Sequence, residues 1–305
     1  MKNVKNKNVL CTSVHSGSIY YLNAWWSSVI NQTTHDFDIV ISVDGFDFDL
    51  DKFLKGHEQF NIQLFYFNYG RTISEIRNKI IEYCSENYDK VIFVDTDDVL
   101  DKYRVAKSLD SLDAFDFTFC KTYVIDEKGN SLPWMLKKNS SINDICEFNS
   151  FGLSNSNYKS YVLKEILPIP KNCEIIDWFI STFAFLYRYK FAYIDETFMK
   201  YRIYAQNVTK VIPPYNLNDL NIKTKYVLNH FDFIMNILAK TSKNVFENDI
   251  EIFKQRHQLV QNFYFKFFND IEYAKNYVNL LNKYYLENNV REISWWNVVA
   301  NSKIM

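Results

Sequence analysis

Over its first 125 residues the chain alternates short apolar runs with segments of helical periodicity, and this alternation constrains the fold more than any other feature. Four apolar runs predict strands, at residues 9–14, 37–43, 61–67 and 91–94. Helical spacing predicts a helix over residues 19–31, after the first run, and another over residues 73–84, before the fourth. Strands that alternate with helices predict an α/β protein with a mostly parallel, Rossmann-like sheet and right-handed connections.

The sequence indicates where the helix before the fourth apolar run begins. Ile73, Ile76 and Ile80 recur at helical spacing. Thr72, with Glu75 three residues later, has the pattern of a capping box. We therefore predict that this helix begins directly after Thr72.

Regular elements are harder to assign between residues 115 and 194. Residues 115–125 predict a strand that ends in a turn at residues 127–130, and residues 133–156 are polar and predict loops over one end of the sheet. Residues 174–187 are apolar with helical spacing, and residues 191–194 predict an edge strand. This part of the chain is predicted to complete the α/β domain.

From about Asn216 the strand–helix alternation stops, so we predict an α/β domain over residues 1–215 and a helical region over residues 216–305. Within that region, residues 257–289 carry aromatic side chains at near-helical spacing, with polar residues between them. This amphipathic surface suits three roles: packing on the α/β domain, a homodimer interface, or peripheral contact with a membrane. Acids accompany the bases on its polar face, which favours the first two.

Charge and cysteine usage exclude several classes of protein. The 35 Lys and Arg residues are balanced by 36 Asp and Glu, so the basic surplus of a nucleic-acid-binding protein is missing and no nucleic-acid partner is expected. Five widely spaced cysteines without a C-x-x-C pair indicate buried, reduced thiols. No signal-peptide pattern and no run of about 20 apolar residues is present, which predicts a cytoplasmic protein.

A run of acids follows the fourth apolar run, VIFV: Asp95, Asp97 and Asp98 fall within four residues. In an open α/β sheet, ligands bind at the carboxyl ends of the strands. Clustered carboxylates repel one another unless a cation lies between them. Mg²⁺ and Mn²⁺ suit such oxygen ligands, together with substrate phosphates. We therefore predict a Mn²⁺ or Mg²⁺ site here, with a solvated acidic turn as the alternative.

Two other enzyme classes have comparable features. Residues 95–99 loosely match the D-x-D-x-T/V motif of haloacid-dehalogenase-type phosphohydrolases, but those enzymes resemble one another in carrying it on the first strand, and three predicted strands precede it here. A sugar-phosphate nucleotidyltransferase would have a Gly-rich, basic loop after its first strand. Residues 11–20 contain one Gly and no Lys or Arg, so neither class fits well.

Four blocks within residues 8–210, taken together and in order, resemble the family-2 glycosyltransferases of the GT-A fold. They are SIYYLNAWWSSVINQTTHDFDIVISVDGF, GRTISEIRNKI, VIFVDTDDVL, and IIDWF followed by YRIYAQNVT. The last is similar to the acceptor-side block of the rhamnosyltransferase-like branch of bacterial polysaccharide glycosyltransferases. The resemblance implies a GT-A nucleotide-diphospho-sugar transferase fold with a C-terminal helical appendage.

The same resemblance implies an activity: a metal-dependent, inverting hexosyl- or deoxyhexosyltransferase that moves a sugar from a nucleotide-diphosphate donor to a glycan or a lipid-linked acceptor. A lipid-linked acceptor would bring the protein to the inner face of the membrane. A GT-A-like module that binds a nucleotide sugar or glycan without turnover is the alternative. Asp97 and Asp177 are both retained, which favours the enzyme.

On the donor side, the resemblance implies that Thr12 and Ser13 border the nucleotide and that Asp44 hydrogen-bonds the base. A carboxylate can accept from the imide N–H of uracil or thymine. Arg77 would lie near the base or the diphosphate. The alternatives are a turn-forming Asp44 before Gly45 and a surface position for Arg77.

The resemblance also assigns the reacting groups. Asp95 would contact the ribose or the metal, and Asp97 would hold the metal that bridges the diphosphate. Asp177 would be the catalytic base that takes the proton of the acceptor hydroxyl. Because Asp177 lies in an apolar segment, the alternative is a helix N-cap or an ion-paired carboxylate. Trp178 would be a sugar-stacking wall or a core residue.

The fourth block departs from the family at one position. Many relatives have Y-R-x-H, whose His can lie near the metal, and Tyr204 occupies that place here. Gln206, Asn207 or water would have to replace that ligand. No role is predicted for three isolated histidines, His15, His35 and His57.

Overall fold

The computed structural model describes residues 7–45, 48–55, 60–205, 207, 210–241 and 243–305. The strands in these ranges are β1 (Asn8–Val14), β2 (Asp38–Asp44), β3 (Ile62–Phe67), β4 (Lys90–Phe93), β5 (Val99–Leu100), β6 (Phe117–Ile125), β7 (Ser131–Leu136), β8 (Ser156–Lys159), β9 (Phe191–Arg202) and β10 (Glu292–Ile293). The helices are α1 (Leu22–Ile30), α2 (Leu50–Leu54), α3 (Ile73–Asn87), α4 (Arg104–Ala114), α5 (Ile142–Glu147), α6 (Ser160–Ile166), α7 (Ile176–Leu186), α8 (Leu217–Leu238), α9 (Glu247–Asn269) and α10 (Ile271–Glu287).

The chain divides into two compact units, each made of several stretches. The first unit comprises residues 1–125, 152–172 and 189–202. The second comprises residues 126–151, 173–188 and 203–305. The predicted division into a catalytic domain over residues 1–215 and a helical region over residues 216–305 stays a prediction.

The first unit is built on a curled sheet with strand order β3-β2-β1-β4-β8-β6. β3, β2, β1 and β4 are parallel, whereas β8 runs antiparallel to both of its neighbours. β9 pairs with β6 in parallel and with β5 in the antiparallel direction. The α/β prediction is confirmed, and the sheet is parallel at β1–β4 and mixed beyond them.

The core of the first unit explains where its polar residues lie. β1, β2 and β4 are buried along nearly their whole length, as strands covered on both faces must be. Trp25 and Val29 of α1 and Val105 of α4 pack with Leu10 and Ile41 in one apolar cluster. Apart from the residues that begin these strands, their polar side chains lie towards the carboxyl ends, where ligands can reach them.

The predicted beginning of α3 is confirmed. The Thr72 hydroxyl accepts from the Glu75 amide at 3.3 Å, and the Glu75 carboxylate accepts from the Thr72 amide at 2.9 Å. This capping box satisfies two amides that have no partner within the helix. Such a cap stabilises a helix by about 1 kcal/mol.

The second unit is mainly helical. α7 contacts α5, and α8, α9 and α10 contact one another. β7 and β10 form a short parallel pair. Trp178 of α7 is fully buried, its indole stacks on His230 of α8 at 4.2 Å between ring centroids, and its Nε1 donates to the Ile145 carbonyl. Trp178 is thus a core residue, and a sugar-stacking wall at this position is wrong.

One prediction about local structure is wrong. Residues 133–156 contain most of β7 and all of α5, because their polar side chains form a cap: the Ser141 hydroxyl accepts from the Asp144 amide at the beginning of α5. The predicted edge strand at residues 191–194 is confirmed, since these residues pair with β6. The strand continues to Arg202 as β9, and its later part also pairs with β5, which its own sequence does not reveal.

The cysteines agree with the sequence analysis, since all five are buried and none is in a disulfide. Among the helices of the described ranges, none combines the length and apolar character needed to cross a bilayer.

Candidate functional site

The acid run forms a turn directly after β4, at the carboxyl end of the parallel strands. The Asp98 amide donates to the Asp95 carbonyl at 3.2 Å and closes the turn. The Thr96 hydroxyl lies 2.9 Å from the Ser13 carbonyl oxygen and 2.8 Å from the Ser18 hydroxyl. The middle of the turn is therefore tied to the end of β1, and the acids are held in a defined position.

Asp95 is paired with the arginine that the sequence placed near the donor. The Arg77 guanidinium lies 2.5 Å from the Asp95 carboxylate, and the Asp95 amide donates to the Ser154 hydroxyl at 2.7 Å. The Arg77 side chain is only 11% exposed, so it is not the surface helix residue of the alternative interpretation. Its Nη1 is buried and has no partner among the described residues, which leaves a cationic donor in this part of the site.

Asp97 and Asp98 are held by the last residue of β9. The Arg202 amide donates to Asp98 Oδ1 at 2.9 Å, and Arg202 Nε donates to the Asp97 carbonyl at 2.8 Å. The Arg202 guanidinium also lies over the Tyr21 ring, 4.6 Å from its centroid. Sequence reasoning missed Arg202, although it belongs to the YR pair of the fourth block.

The carboxyl group of Asp98 is almost fully buried. Burial, followed by the charges of Asp97 and Asp95, raises its pKa well above the usual range. Its Oδ2 is buried and has no hydrogen-bond partner among the described residues. Asp97 is 9% exposed and therefore lies at the edge of solvent. Nearby positive charge would stabilise three carboxylates in this arrangement.

Asp44 lies at the end of β2, near the side chains of His15 and Arg77. Burial raises the pKa of Asp44, and the charges of His15 and Arg77 oppose that shift. His15 also caps a 3-10 turn, since its Nδ1 accepts from the Gly17 amide at 3.2 Å. No role was predicted for His15, although its place just after β1 could have suggested one.

The turn after Asp44 requires its glycine. Gly45 has φ +56°, a conformation that L side chains rarely adopt, and a Cβ there would lie 3.2 Å from the Tyr69 Cα. Asp44 is thus followed by a tight turn, and both interpretations of it, as base ligand and as turn residue, are compatible with this geometry.

The two residues at the end of β1 differ in exposure. Thr12 is fully buried, and its hydroxyl has no partner among the described residues. Ser13 is 7% exposed, and its hydroxyl bonds that of Ser42 on β2. Of this predicted nucleotide-bordering pair, Ser13 is the more accessible side chain.

Asp177 lies in the first turn of α7, in the second unit. Its Oδ1 accepts from the Trp178 amide at 2.8 Å, and its Oδ2 accepts from Asn149 Nδ2 at 3.1 Å. Asn149 is fully buried and is itself fixed by hydrogen bonds to the Phe151 backbone. Asn149 thus orients the carboxylate, and sequence reasoning missed it because it is 28 residues away.

The chemistry of the acid turn suits a divalent cation that a substrate helps to bind. In the described part of the chain, no three His, Cys, Asp or Glu side chains form a ready metal cluster. Mg²⁺ and Mn²⁺ commonly take one or two carboxylates and complete their shell with substrate phosphates and water. The partly accessible Asp97 and the unpaired Asp98 Oδ2 fit that pattern. Tyr204 is 6% exposed, and Gln206 lies outside the described residues.

Residues 19–167 match the family model described as Glycosyl transferase family 2. The chain has the GT-A fold of glycosyltransferases, and residues 19–167 are similar to the family-2 glycosyltransferases, as the sequence analysis predicts. The rhamnosyltransferase-like branch stays a prediction. No protein of curated function matches the chain in sequence.

Solved structures with a similar fold include two of TarS from S. aureus. In one, the chains are 15% identical with a TM-score of 0.59, and the match covers 82% of this chain but 43% of that one. The other, TarS 1–349 in complex with UDP-GlcNAc, is 15% identical with a TM-score of 0.57, covering 82% of this chain and 72% of that one. Less than half of the first TarS chain therefore has a counterpart here.

A third similar structure is that of a mannosyltransferase. It is the mannosyltransferase PcManGT from Pyrobaculum calidifontis in complex with GDP-Man and Mn²⁺, 9% identical with a TM-score of 0.60, covering 84% of this chain and 70% of that one. At these identities the structural likeness defines the fold, and the donor of each relative is a property of that relative.

Proposed function

We propose that the chain is a metal-dependent, inverting glycosyltransferase that uses a nucleotide-diphosphate sugar as donor and a glycan or lipid-linked acceptor. The observation that carries this proposal is the bonded acid turn at the carboxyl end of β4. The Asp95 carboxylate pairs with Arg77, and one oxygen of the Asp98 carboxylate accepts from the Arg202 amide. Ser154 and the Arg202 side chain bond the backbone of the turn, and the second Asp98 oxygen has no partner among the described residues.

In this proposal the groups around the turn bind the donor. Asp97, with Asp95, would hold Mn²⁺ or Mg²⁺, which when bound neutralises the charge of the departing diphosphate. Arg77 offers a further cationic donor near the diphosphate or base. Asp44 accepts a hydrogen bond from the base, and Ser13 borders the nucleotide with Thr12 behind it. The complexes of the similar structures with UDP-GlcNAc and with GDP-Man and Mn²⁺ support this assignment.

Asp177 is the proposed base of the transfer step. The acceptor hydroxyl oxygen attacks the anomeric carbon, its proton passes to the Asp177 carboxylate, and the bond from the anomeric carbon to the phosphate oxygen breaks. Because attack occurs opposite the leaving group, the anomeric configuration inverts. The hydrogen bonds from Asn149 and the Trp178 amide support this role, since they orient the carboxylate.

Thermal-shift measurements test the donor half of the proposal. UDP-, TDP-, GDP- and CMP-sugars are added with and without Mn²⁺, and a ligand at about 100 times its Kd stabilises the folded state by about 2.7 kcal/mol. We expect one base to raise the Tm in a Mn²⁺-dependent manner. If none of the four does so, the proposal is wrong.

A donor-hydrolysis assay with Mn²⁺ then separates the enzyme from a binding module. An enzyme releases nucleoside diphosphate slowly in the absence of acceptor, whereas a module that only binds leaves the donor intact. Binding without release under any tested condition would favour the module.

A further inference from the structure

A cavity of about 250 Å³ lies wholly within the second unit. Its buried lining includes Phe148, Tyr285 and Ser294, and its exposed rim carries Lys137 and Lys303. Pockets for drug-sized ligands are usually about 300–1,000 Å³. This cavity is therefore large enough for a group the size of one monosaccharide and too small for a nucleotide sugar.

Two buried polar groups that line this cavity have no partner among the described residues. Ser294 is 3% exposed, and its hydroxyl makes no hydrogen bond. Arg256 donates to the carbonyls of Val299 at 3.0 Å and Ala300 at 2.8 Å, but its buried Nε has no acceptor. Buried polar groups are normally hydrogen-bonded. Both groups therefore favour a ligand that supplies oxygen atoms.

The charge of the cavity favours an anionic oxygen. Lys137 lies over the Phe148 ring at 4.6 Å from its centroid, and Lys303 lies 5.9 Å from the centroid of the Tyr284 ring. With Arg256, these lysines make three cations, against two carboxylates, Glu147 and Glu292. Within the described part of the chain, none of these cations has a carboxylate within 4 Å, so their charge is available to a ligand.

The remaining lining suits a sugar ring. Tyr284 and Tyr285 offer aromatic surface to the apolar face of a pyranose, and the carboxylates of Glu147 and Glu292 can accept from its hydroxyl groups. Asn297 and Asn301 add amide groups along the same wall. A free inorganic anion would use the cations and leave these groups unoccupied.

We propose that this cavity is a glycan subsite that binds one sugar residue carrying an oxyanion, a carboxylate or a phosphate. The anion pairs with Arg256 and the Ser294 hydroxyl, and the ring hydroxyls face the carboxylates of the rim. The subsite rests on the proposed function in one respect, because a transferase of this kind would use it to hold an acidic acceptor chain beyond the residue that receives the new sugar.

Binding to the full chain tests the subsite directly. Saturation-transfer NMR and calorimetry are run with D-glucuronate, D-glucose 6-phosphate, D-glucose and inorganic phosphate. We expect a Kd of roughly millimolar size for glucuronate, glucose 6-phosphate or both, because single sugars make few contacts. Whichever of the two binds identifies the source of the oxyanion. Glucose and inorganic phosphate should each bind at least tenfold more weakly.

Variants locate the binding. Arg256→Gln should weaken it at least tenfold, and Ser294→Ala by about fivefold. Because Arg256 also bonds backbone carbonyls, its replacement could disturb the fold. Lys303→Ala, on the exposed rim, leaves the fold unchanged and should weaken binding about threefold. Lys283→Ala, on an exposed side chain of α10 outside the cavity, is the matched control and should bind as wild type.

Equal affinity for glucose and glucuronate, or for inorganic phosphate and glucose 6-phosphate, would overturn the subsite. So would unchanged binding in both Ser294→Ala and Lys303→Ala. Acidic-sugar binding that persists in a chain without glycosyl transfer would support the subsite and count against the proposed function alone.

Discussion

The acid turn of the first unit and the aromatic core of the second unit differ in the partners of their buried titratable groups. Around the turn, Asp95 faces Arg77, and Arg202 bonds both following acids. In the second unit, Lys223 is 2% exposed and His230 is 1% exposed, and both are surrounded by aromatic rings. Ionic and hydrogen-bond partners therefore offset the burial of the acid turn, whereas Lys223 and His230 are buried at a cost in stability.

The largest expected effect comes from removing the helices of the second unit. A fragment of residues 1–216 lacks α8, so Trp178 loses its stacking partner His230 and apolar surface on α7 is exposed. We expect insoluble or aggregated protein, measured by size-exclusion chromatography against the full chain. A monodisperse fragment that still binds donor would contradict this expectation and show that residues 216–305 form an independent module.

Asp177→Asn tests the reacting group of the second unit. The substitution keeps the volume and the contact with Asn149 but removes the base, so transfer should fall by about 10² to 10⁴, the usual contribution of a general base. Donor binding should not change. Asp110→Asn, on an exposed position of α4, is the control. An Asp177→Asn chain that keeps more than about a tenth of wild-type transfer would exclude Asp177 as the base.

Asp97→Asn tests whether the turn is arranged for a cation. Losing one charged ligand should weaken Mn²⁺-dependent donor binding tenfold or more, roughly 1.4 kcal/mol. Isothermal titration with and without Mn²⁺ measures this change. Asp89→Asn, an exposed acid just before β4 and at the opposite end of that strand, should bind donor as wild type. Wild-type Mn²⁺ dependence in Asp97→Asn would contradict the metal assignment.

The smallest expected effect is a pH dependence of stability from Lys223. Burial lowers the pKa of Lys223 to about 7, against 10.5 for an unperturbed lysine. Between these values the unfolded state binds more protons, so the free energy of unfolding should rise with pH by at most about 1.4 kcal/mol per unit above pH 7. Below pH 7 both states are protonated and this contribution is flat.

Lys223→Met removes the titrating group and keeps an unbranched apolar side chain. Urea unfolding between pH 7 and 9 measures the free energy of unfolding as a function of pH. In Lys223→Met we expect this free energy to rise less with pH than in wild type, and to be higher than in wild type near pH 7. Lys225→Met, on an exposed position of the same helix, is the control and should keep the slope. Identical slopes in Lys223→Met and wild type would show that the ammonium group is solvated in the folded state.

Local patterns made the first unit predictable. Residues close together in the sequence determine the strands β1 to β4 and the cap at Thr72 and Glu75. They also determine the acid turn and its position at the end of a strand. The Arg77–Asp95 pair follows from the same topology, because α3 leads directly into β4.

Contacts between distant residues were not predictable from one sequence. Asn149 reaches Asp177 across 28 residues, and Arg202 reaches the turn across more than 100. His230 is recognisable as a core residue only when α8 is seen against α7. A polar residue such as Ser141 reads as a loop signal, although here it begins α5. Tertiary packing determines such partners, and no local pattern in the sequence indicates them.

The hydrogen bond from Arg202 to the acid turn joins two parts of the chain that are synthesised at different times. Arg202 is separated from Asp98 by 104 residues, and Ser154 from Asp95 by 59. Contacts between residues so far apart in sequence form late, because the intervening chain must first be ordered. During synthesis, the acids of the turn therefore emerge long before the groups that hold them. We therefore expect the turn to be held in place only after β9 has paired and Arg202 has reached it.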